Sequence, residues 1–124
     1  MSWQQYVDEQ LIGAGLSGAA ILGHDGGTWA KHKLDIPKQE GEGLVHLFNN
    51  PGDAFAKGIN VGGVKYMCIK ADSQSIYGKK GAGGCVCAKT GQSIVIGIYD
   101  DKIQPGPATL IVEKLGDYLK DNNY

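Results

Sequence analysis

The chain has 124 residues, a formal net charge of −1 at pH 7 and 20 glycines. Its length is typical of a single domain that buries a core without disulfide staples, and its slightly acidic charge argues against a nucleic-acid-binding protein. The sequence has no apolar run long enough to cross a bilayer, and its first residues lack the basic and apolar blocks of a signal peptide. We therefore expect one cytoplasmic domain over residues 1–124.

The first half of the chain predicts a helix, a hairpin and two short helices. The first helix is expected from Trp3 to about Ile12, because Ser2 and Gln5 have the spacing of a capping box and the following apolar residues share one helical face. Glycine-rich residues then end the helix and later mark the hairpin turn. The remaining predicted elements are strands at residues 19–23 and 28–33, a loop at 34–43, and short helices at 44–50 and 53–57.

The second half predicts an antiparallel meander followed by a terminal helix. Val, Ile, Tyr and Cys are frequent from Ile59 onward, and turn residues separate the runs. Residues 78–84 predict a glycine-rich turn. A phosphate-binding loop that begins at Gly78 would need lysine and a hydroxyl residue after Gly83, but Gly84 and Cys85 stand there. From Pro105, apolar residues recur at three- and four-residue steps, which places them on one stripe of a helix of about four turns. The predicted strands cover residues 64–71, 75–79, 85–90 and 93–99.

The cysteines and histidines do not form a pattern typical of a catalytic or metal site. Cys68, Cys85 and Cys87 are an odd number in strand-like surroundings, which favours free thiols over a disulfide framework. A Cys-x-Cys pair supplies too few ligands for a closed zinc site unless distant histidines converge. A thiol enzyme would also need a nearby base and a lowered thiol pKa. We therefore expect no enzyme activity, no metal and no cofactor.

Lysines are concentrated in the region of the predicted sheet. Residues 61–90 contain five lysines and one aspartate, a balance of +4, whereas the whole chain has a balance of −1. One interpretation is a solvated sheet edge that lysine protects from aggregation. The other is a surface that attracts an acidic protein or anionic lipid headgroups. The charge pattern leaves both interpretations open.

Aromatic residues are concentrated towards the two ends of the chain. Trp3 and Tyr6 lie on the first predicted helix, Trp29 on the hairpin, and Tyr118 and Tyr124 at the end of the terminal helix. If the terminal helices lie side by side on the sheet, these rings meet at one surface. Flat exposed rings suit a polyproline II ligand, which is already extended and loses little entropy on binding. The alternative is that both tryptophans belong to the core.

Five stretches of the sequence resemble the profilin family, particularly its short amoeba and plant members. They are MSWQQYVD at residues 1–8, GHDGGTWA at 23–30, YGKKG at 77–81, KTGQ at 89–92 and VEKLGDYL at 112–119. The resemblance implies an α+β domain with a central antiparallel sheet, the N- and C-terminal helices on one face and short helices on the other. It also implies a cytoskeletal protein that binds actin monomers, regulates actin polymerisation and promotes nucleotide exchange on actin.

The same resemblance implies three sets of binding residues and three partners, namely monomeric actin, proline-rich proteins such as formins, and phosphoinositide headgroups. The residues expected to bind poly-L-proline are Trp3, Tyr6, Trp29, Tyr118, Leu119 and Tyr124. Those expected to bind actin are Lys70, Lys79, Lys80, Lys89, Thr90, Gly106, Thr109 and Glu113. Those expected to bind phosphoinositides are Lys65, Lys79, Lys80 and Lys89. The alternative function is a peripheral module that binds anionic lipid and has no actin activity.

Overall fold

A curled seven-stranded antiparallel sheet forms the centre of the computed structural model, which describes residues 1–124. The strand order is β2-β1-β7-β6-β5-β4-β3, so the N-terminal hairpin joins the later meander where β1 pairs with β7. The expected α+β fold is confirmed. The strands are β1 Gly18–Gly23, β2 Thr28–His32, β3 Ile59–Val61, β4 Val64–Ala71, β5 Ser75–Lys80, β6 Gly83–Lys89 and β7 Ser93–Tyr99.

The helices begin and end close to the predicted residues, with one exception. The first helix starts as the α-helix α1 and continues as a π-helix, and together these cover the predicted segment. The predicted capping box is present, because the Ser2 hydroxyl accepts a hydrogen bond from the Gln5 N–H at 3.1 Å and the Gln5 amide oxygen accepts one from the Ser2 N–H at 2.8 Å. The helical segments are α1 Trp3–Gln5, the π-helix Tyr6–Ile12, α2 Lys38–Asn49, α3 Gly52–Lys57 and α4 Pro105–Asp121.

The sheet separates two hydrophobic cores. Alternation along β6 illustrates the division, since Val86 and Ala88 pack with the first helix and α4, whereas Cys85 and Cys87 pack with α2 and α3 on the opposite face. The terminal helices therefore share one face of the sheet and the short helices cover the other, as expected. None of the helices combines the length and apolar character that crossing a membrane requires.

The prediction of a loop at residues 34–43 is wrong, because α2 already begins at Lys38. The glycines that suggested a loop are accommodated within the helix. A side chain at Gly41 would overlap the carbonyl oxygen of Gly26 in the hairpin turn, so glycine allows the helix to approach that turn closely. The glycines thus suggested a loop at a place where the helix needs them for close contact with the hairpin turn.

The predicted turn at residues 78–84 is also wrong in its extent. β5 continues to Lys80 and β6 begins at Gly83, so the turn itself contains only Gly81 and Ala82. Gly81 has a φ of 60°, which suits glycine at the tip of a short hairpin. Lys79 and Lys80 consequently belong to a strand, and this placement determines which way each side chain points.

Candidate functional site

Five aromatic rings converge on one surface of the molecule. The ring of Trp3 is central, with centroid distances of 4.9 Å to Trp29, 5.8 Å to Tyr6 and 5.8 Å to Tyr124. Tyr118 extends the group through a centroid distance of 6.1 Å to Tyr6. We call these five residues the aromatic cluster. It unites the first helix, the hairpin, α4 and the residues after α4.

The aromatic cluster is open to solvent. Trp29, Tyr118 and Tyr124 are 43%, 48% and 44% exposed, and Trp3 is partly exposed. Tyr6 is buried beneath them, and burial, followed by the neighbouring Tyr118, raises the pKa of its phenol. The interpretation that both tryptophans belong to the core therefore does not hold for Trp29. Several flat rings with exposed faces form a surface on which a rigid extended chain can pack.

Short-range contacts fix the orientation of the two tryptophans. The Gln4 amide donates to the main-chain carbonyl of Lys31 at 2.9 Å, which ties the helix that carries Trp3 to the strand that carries Trp29. The indole of Trp29 lies directly over Gly23, where an added Cβ would be only 2.8 Å from the indole nitrogen. The absence of a side chain at Gly23 thus makes room for the ring.

Leu119 does not share the exposure of the rings. Its side chain is fully buried in the core beneath α4. The assignment of Leu119 to the residues that bind poly-L-proline stays a prediction, and its burial favours an indirect role. Its physical role is to pack α4 against the sheet so that Tyr118, one residue earlier, points outward.

The lysines of the sheet are divided between its two faces. Lys79 is the cross-strand partner of Met67 and alternates with Tyr77, so it lies on the side of α4, as does Lys65, two residues before Met67. Lys80 points to the opposite side, where Lys89 lines a small cavity beside Phe48 of α2. The four lysines expected to bind phosphoinositides thus lie on two faces of the sheet, and their role in binding stays a prediction.

None of those four lysines forms an ion pair. Lys70, by contrast, lies 3.9 Å from the carboxylate of Asp72 and 5.1 Å from the ring centre of Tyr77. The positive charges of the other four are thus available to a partner on either face. The charge pattern of the sequence located these lysines but gave no information on their direction. The unpaired lysines are Lys65, Lys79, Lys80 and Lys89.

Several residues expected to bind actin share a surface formed by α4, β4 and β5. Gly106, Thr109 and Glu113 recur at three- and four-residue steps, so they form one stripe of α4. The Glu113 carboxylate accepts hydrogen bonds from the Ser75 hydroxyl at 2.8 Å and from the Tyr77 hydroxyl, which ties this stripe to β5. We call this area, with Lys70 and Lys79 on the adjacent strands, the α4–β5 surface.

Burial, then the hydrogen bond and charge of Glu113, raise the pKa of Tyr77 from 10.0 to about 12. Tyr77 therefore remains a neutral hydrogen-bond donor to the carboxylate at physiological pH. This contact fixes α4 relative to β5 and gives the α4–β5 surface a defined shape.

The sequence analysis missed the apolar part of the α4–β5 surface. Met67 on β4 and Leu110 on α4 are 68% and 59% exposed, and Ile69 is 51% exposed. Large apolar side chains that are exposed on one side of a molecule are typical of a protein interface. The alternation along β4 contained the signal, because Met67 falls between Tyr66 and Cys68, which face the core.

Thr90 and the remaining lysines lie apart from the α4–β5 surface. Thr90 is buried, and its hydroxyl contacts Ser93 and the main-chain carbonyl of Tyr124, beside the aromatic cluster. The role of Thr90 in actin binding stays a prediction. Lys80 and Lys89 face away from α4, on the side of the sheet opposite to Lys79.

Comparison with known proteins agrees with the family resemblance of the sequence along the full length of the chain. The model of the Profilin family matches residues 1–124. The chain belongs to the profilin family. It is 69% identical over 126 residues, which is 100% of both chains, to Profilin-1 of Dictyostelium discoideum. The resemblance drawn from the sequence is thereby confirmed, and profilins are non-enzymatic actin-binding proteins.

Solved profilin structures share this fold. The crystal structure of Acanthamoeba castellanii profilin II superposes with a TM-score of 0.96 at 43% identity and covers 99% of this chain and 100% of its own. Mouse profilin IIa, in complex with a double repeat from the FH1 domain of mDia1, superposes with a TM-score of 0.78 at 17% identity and covers 100% of both chains. This more distant likeness shows the fold alone.

The thiols of this profilin are poorly suited to nucleophilic chemistry. Cys85 and Cys87 are fully buried. A hydrogen bond with Cys85, together with burial, raises the pKa of Cys87 well above its ordinary value, and burial raises the pKa of Cys68. Reactive thiols have a lowered pKa, because the thiolate is the nucleophile. Nor does the structure bring three or more potential metal ligands of the Cys, His, Asp and Glu types together.

Proposed function

We propose that this profilin binds proline-rich segments at the aromatic cluster and actin monomers at the α4–β5 surface. The single observation that carries the proposal is the convergence of five rings from distant parts of the chain into one exposed cluster. A polyproline II ligand is preorganised, so the rings gain contact area at a small entropic cost. The complex of mouse profilin IIa with an FH1 repeat supports a proline-rich formin segment as the ligand.

Membership of the profilin family and the character of the α4–β5 surface support an actin-binding role there. Its exposed apolar centre at Met67 and Leu110 is bordered by Lys79, a combination that suits an interface with an apolar middle and a polar rim. In this proposal the protein holds actin monomers, blocks spontaneous nucleation and favours exchange of the nucleotide on actin. It acts in the cytoplasm, at the actin cytoskeleton.

The separation of the two surfaces gives the proposal its mechanism. α4 lies over β6 and β7, with the aromatic cluster on its N-terminal-helix side and the α4–β5 surface on its β5 side. A protein that holds both ligands brings an actin monomer to a filament-assembly factor that carries a proline-rich tract. The second encounter then becomes intramolecular, and the local concentration of actin at the factor rises.

We further propose that phosphoinositide headgroups contact Lys65 and Lys79 on the α4 side of the sheet. Neither lysine has an acidic partner, and both lie next to the proposed actin contacts. Lipid and actin should consequently compete. The alternative, in which anionic lipid is the primary partner and actin is not bound, predicts salt-sensitive vesicle binding without any effect on actin.

A two-step binding experiment tests the proposed function. The protein is loaded on a poly-L-proline column, and actin monomers are then applied to the bound fraction. Retention of the protein, followed by retention of actin, is the expected result. Failure to bind the column would contradict the role of the aromatic cluster, and capture of the protein without actin would contradict the two-surface proposal. Vesicles that contain phosphoinositide, applied to the actin-loaded column, should release actin.

A further inference from the structure

The turn between β6 and β7 holds the main chain of Tyr124. The carbonyl oxygen of Tyr124 accepts hydrogen bonds from the Gln92 N–H at 2.6 Å and from the Thr90 hydroxyl at 2.9 Å. The Tyr124 N–H donates to the carbonyl oxygen of Leu119 at 2.8 Å. Residue 124 is thus fixed on both sides of its α-carbon, once by α4 and twice by the β6–β7 turn.

These bonds act on a residue that lies outside any regular element. α4 ends at Asp121, and residues that follow a helix ordinarily fray unless they are tied down. Asn123 has a φ of 66°, a left-handed conformation that asparagine tolerates, and it turns the chain back towards the sheet. The ring of Tyr124 then meets Trp3 edge-on, with an interplanar angle of 85°.

The hydrogen-bonding capacity of Thr90 directs its only proton to Tyr124. A threonine hydroxyl has one proton to donate and two lone pairs that accept. The Ser93 N–H at 3.0 Å fills one accepting position, and the Ser93 hydroxyl at 2.7 Å can donate to the other. The Thr90 proton is then free for the Tyr124 carbonyl, which is closer than the Ser93 carbonyl at 3.3 Å. In this arrangement the Ser93 N–H, the Ser93 hydroxyl and the Tyr124 carbonyl each have a hydrogen bond with the Thr90 hydroxyl.

The same turn also braces the hairpin that carries Trp29. The Nε2 atom of His24 lies 3.0 Å from the Thr90 carbonyl oxygen and 3.3 Å from that of Ser93. His24 begins the tight turn between β1 and β2, and Trp29 follows that turn directly. The β6–β7 turn therefore contacts the supports of two exposed members of the aromatic cluster.

We infer that Thr90 is a positioning residue for the aromatic cluster: its hydroxyl fixes Tyr124 against Trp3 and thereby strengthens the binding of a proline-rich segment. The effect on the binding of a proline-rich segment rests on the proposed function, whereas the effect on the position of the Tyr124 ring does not. Thr90 itself is buried, so it acts through Tyr124 and not through its own exposed surface.

Four variants test this inference. Thr90→Val keeps the shape of the side chain and removes its hydroxyl, and Thr90→Ser keeps the hydroxyl. Ser93→Ala removes a partner of Thr90 without touching Tyr124, and Tyr124→Ala removes the ring. Poly-L-proline affinity is measured by tryptophan fluorescence, and NMR records nuclear Overhauser contacts between the Trp3 and Tyr124 rings.

Thr90→Val should bind poly-L-proline about fivefold more weakly, as expected for the loss of one net hydrogen bond, and should lose the ring contacts. Thr90→Ser and Ser93→Ala should bind within about twofold of the parent, the scatter expected for changes that spare the contact. In the Tyr124→Ala background, Thr90→Val should cause no further loss of affinity. A purely structural role would lower affinity in both backgrounds alike.

Retained ring contacts in Thr90→Val, or an equal loss of affinity with and without the Tyr124 ring, would overturn the inference. If the parent does not bind poly-L-proline, the proposed function fails, and the ring contacts still decide the role of Thr90. If Thr90→Val does not fold, hydrogen exchange in the parent protein still tests the inference. The Thr90 hydroxyl proton should exchange slowly with water and give nuclear Overhauser contacts to Tyr124, and a Thr90 hydroxyl proton that exchanges freely would overturn the inference.

Discussion

The aromatic cluster and the lysines of the sheet arise in opposite ways. The rings come from the two ends of the chain and from the hairpin, and the fold places each ring 4.9–6.1 Å from at least one neighbouring ring. The lysines come from one stretch of the chain, and strand alternation turns neighbours such as Lys79 and Lys80 to opposite faces. Nearness in the sequence is thus a poor guide to nearness on the surface of a sheet.

This difference has a functional consequence. The aromatic cluster should respond as one unit to the loss of a member, because each ring borders another. Substitutions of the lysines should instead have effects that fall into two groups, because the sheet separates the lysines of one face from those of the other.

The largest effect is expected at the centre of the aromatic cluster. Trp3→Ala should reduce poly-L-proline affinity about thirtyfold, or roughly 2 kcal/mol, since Trp3 contacts three of the other rings and acts as an anchor. Calorimetric titration measures the change. Phe55→Ala is the matched control, because Phe55 is 60% exposed and lies outside the cluster. A folded Trp3→Ala protein that binds like the parent would refute the assignment of the cluster.

Charge reversal at adjacent lysines tests the division of the basic residues. Lys79→Glu should weaken actin binding about tenfold, because it places a negative charge at the rim of the α4–β5 surface, where the lysine would attract an acidic partner. Lys80→Glu carries the same change in net charge but faces away from α4, and its actin affinity should stay within about twofold of the parent. Poly-L-proline binding should be unaffected in both. Equal losses of actin affinity in the two variants would show that net charge, and not the face, governs binding.

A smaller effect is expected beneath Trp29. Gly23→Ala places a methyl group where the indole nitrogen lies 2.8 Å away, so the ring must move and poly-L-proline affinity should fall about fivefold. Gly43→Ala is the matched control, because a methyl group there meets no atom within 4 Å. The measurement is the same titration, with thermal unfolding to confirm the fold. An unchanged affinity in Gly23→Ala would show that the position of the Trp29 ring does not matter.

The smallest effect concerns stability at alkaline pH. The pKa of Tyr77 is raised from 10.0 to about 12 in the folded protein, so the folded state holds this proton more tightly than the unfolded state. Its contribution to stability is complete below pH 10.0 and disappears as the pH rises towards about 12. The free energy of unfolding should therefore fall over this range.

Urea unfolding at a series of pH values tests the role of Tyr77. Tyr77→Phe should reduce the alkaline decrease in stability, and Tyr66→Phe should reduce it as well, since burial raises the pKa of Tyr66 to about 12. An alkaline decrease that is unchanged in Tyr77→Phe would contradict the contact between α4 and β5.

The sequence predicted the elements well where periodicity was strong. The stripe of α4 fixes both the type of element and its buried face, and the runs of Val, Ile, Tyr and Cys between turns indicate the strands β6 and β7. The start of α2 and the extent of the β5–β6 hairpin could not be predicted in this way. There glycine serves close packing, as at Gly41, or the hairpin tip, as at Gly81, and composition alone does not distinguish these roles from a loop.

The aromatic cluster could be expected from the sequence, but the burial of individual residues in and around it could not. Leu119 and Thr90 matched family positions, yet both are buried, because exposure depends on the packing of α4 and on a turn distant in sequence. The apolar centre at Met67 and Leu110 was missed for the same reason. An apolar residue in a strand or helix is normally assigned to the core, and only the sheet order shows that α4 leaves β4 uncovered.

Whether one domain offers two separate binding surfaces can be decided by measuring poly-L-proline affinity with and without actin. Actin monomers are held under conditions that prevent polymerisation and are added to saturation. The dissociation constant for poly-L-proline should change by no more than about twofold, and a ternary complex should sediment as one species. Displacement of actin by poly-L-proline, or loss of poly-L-proline binding in saturating actin, would contradict two separate binding surfaces.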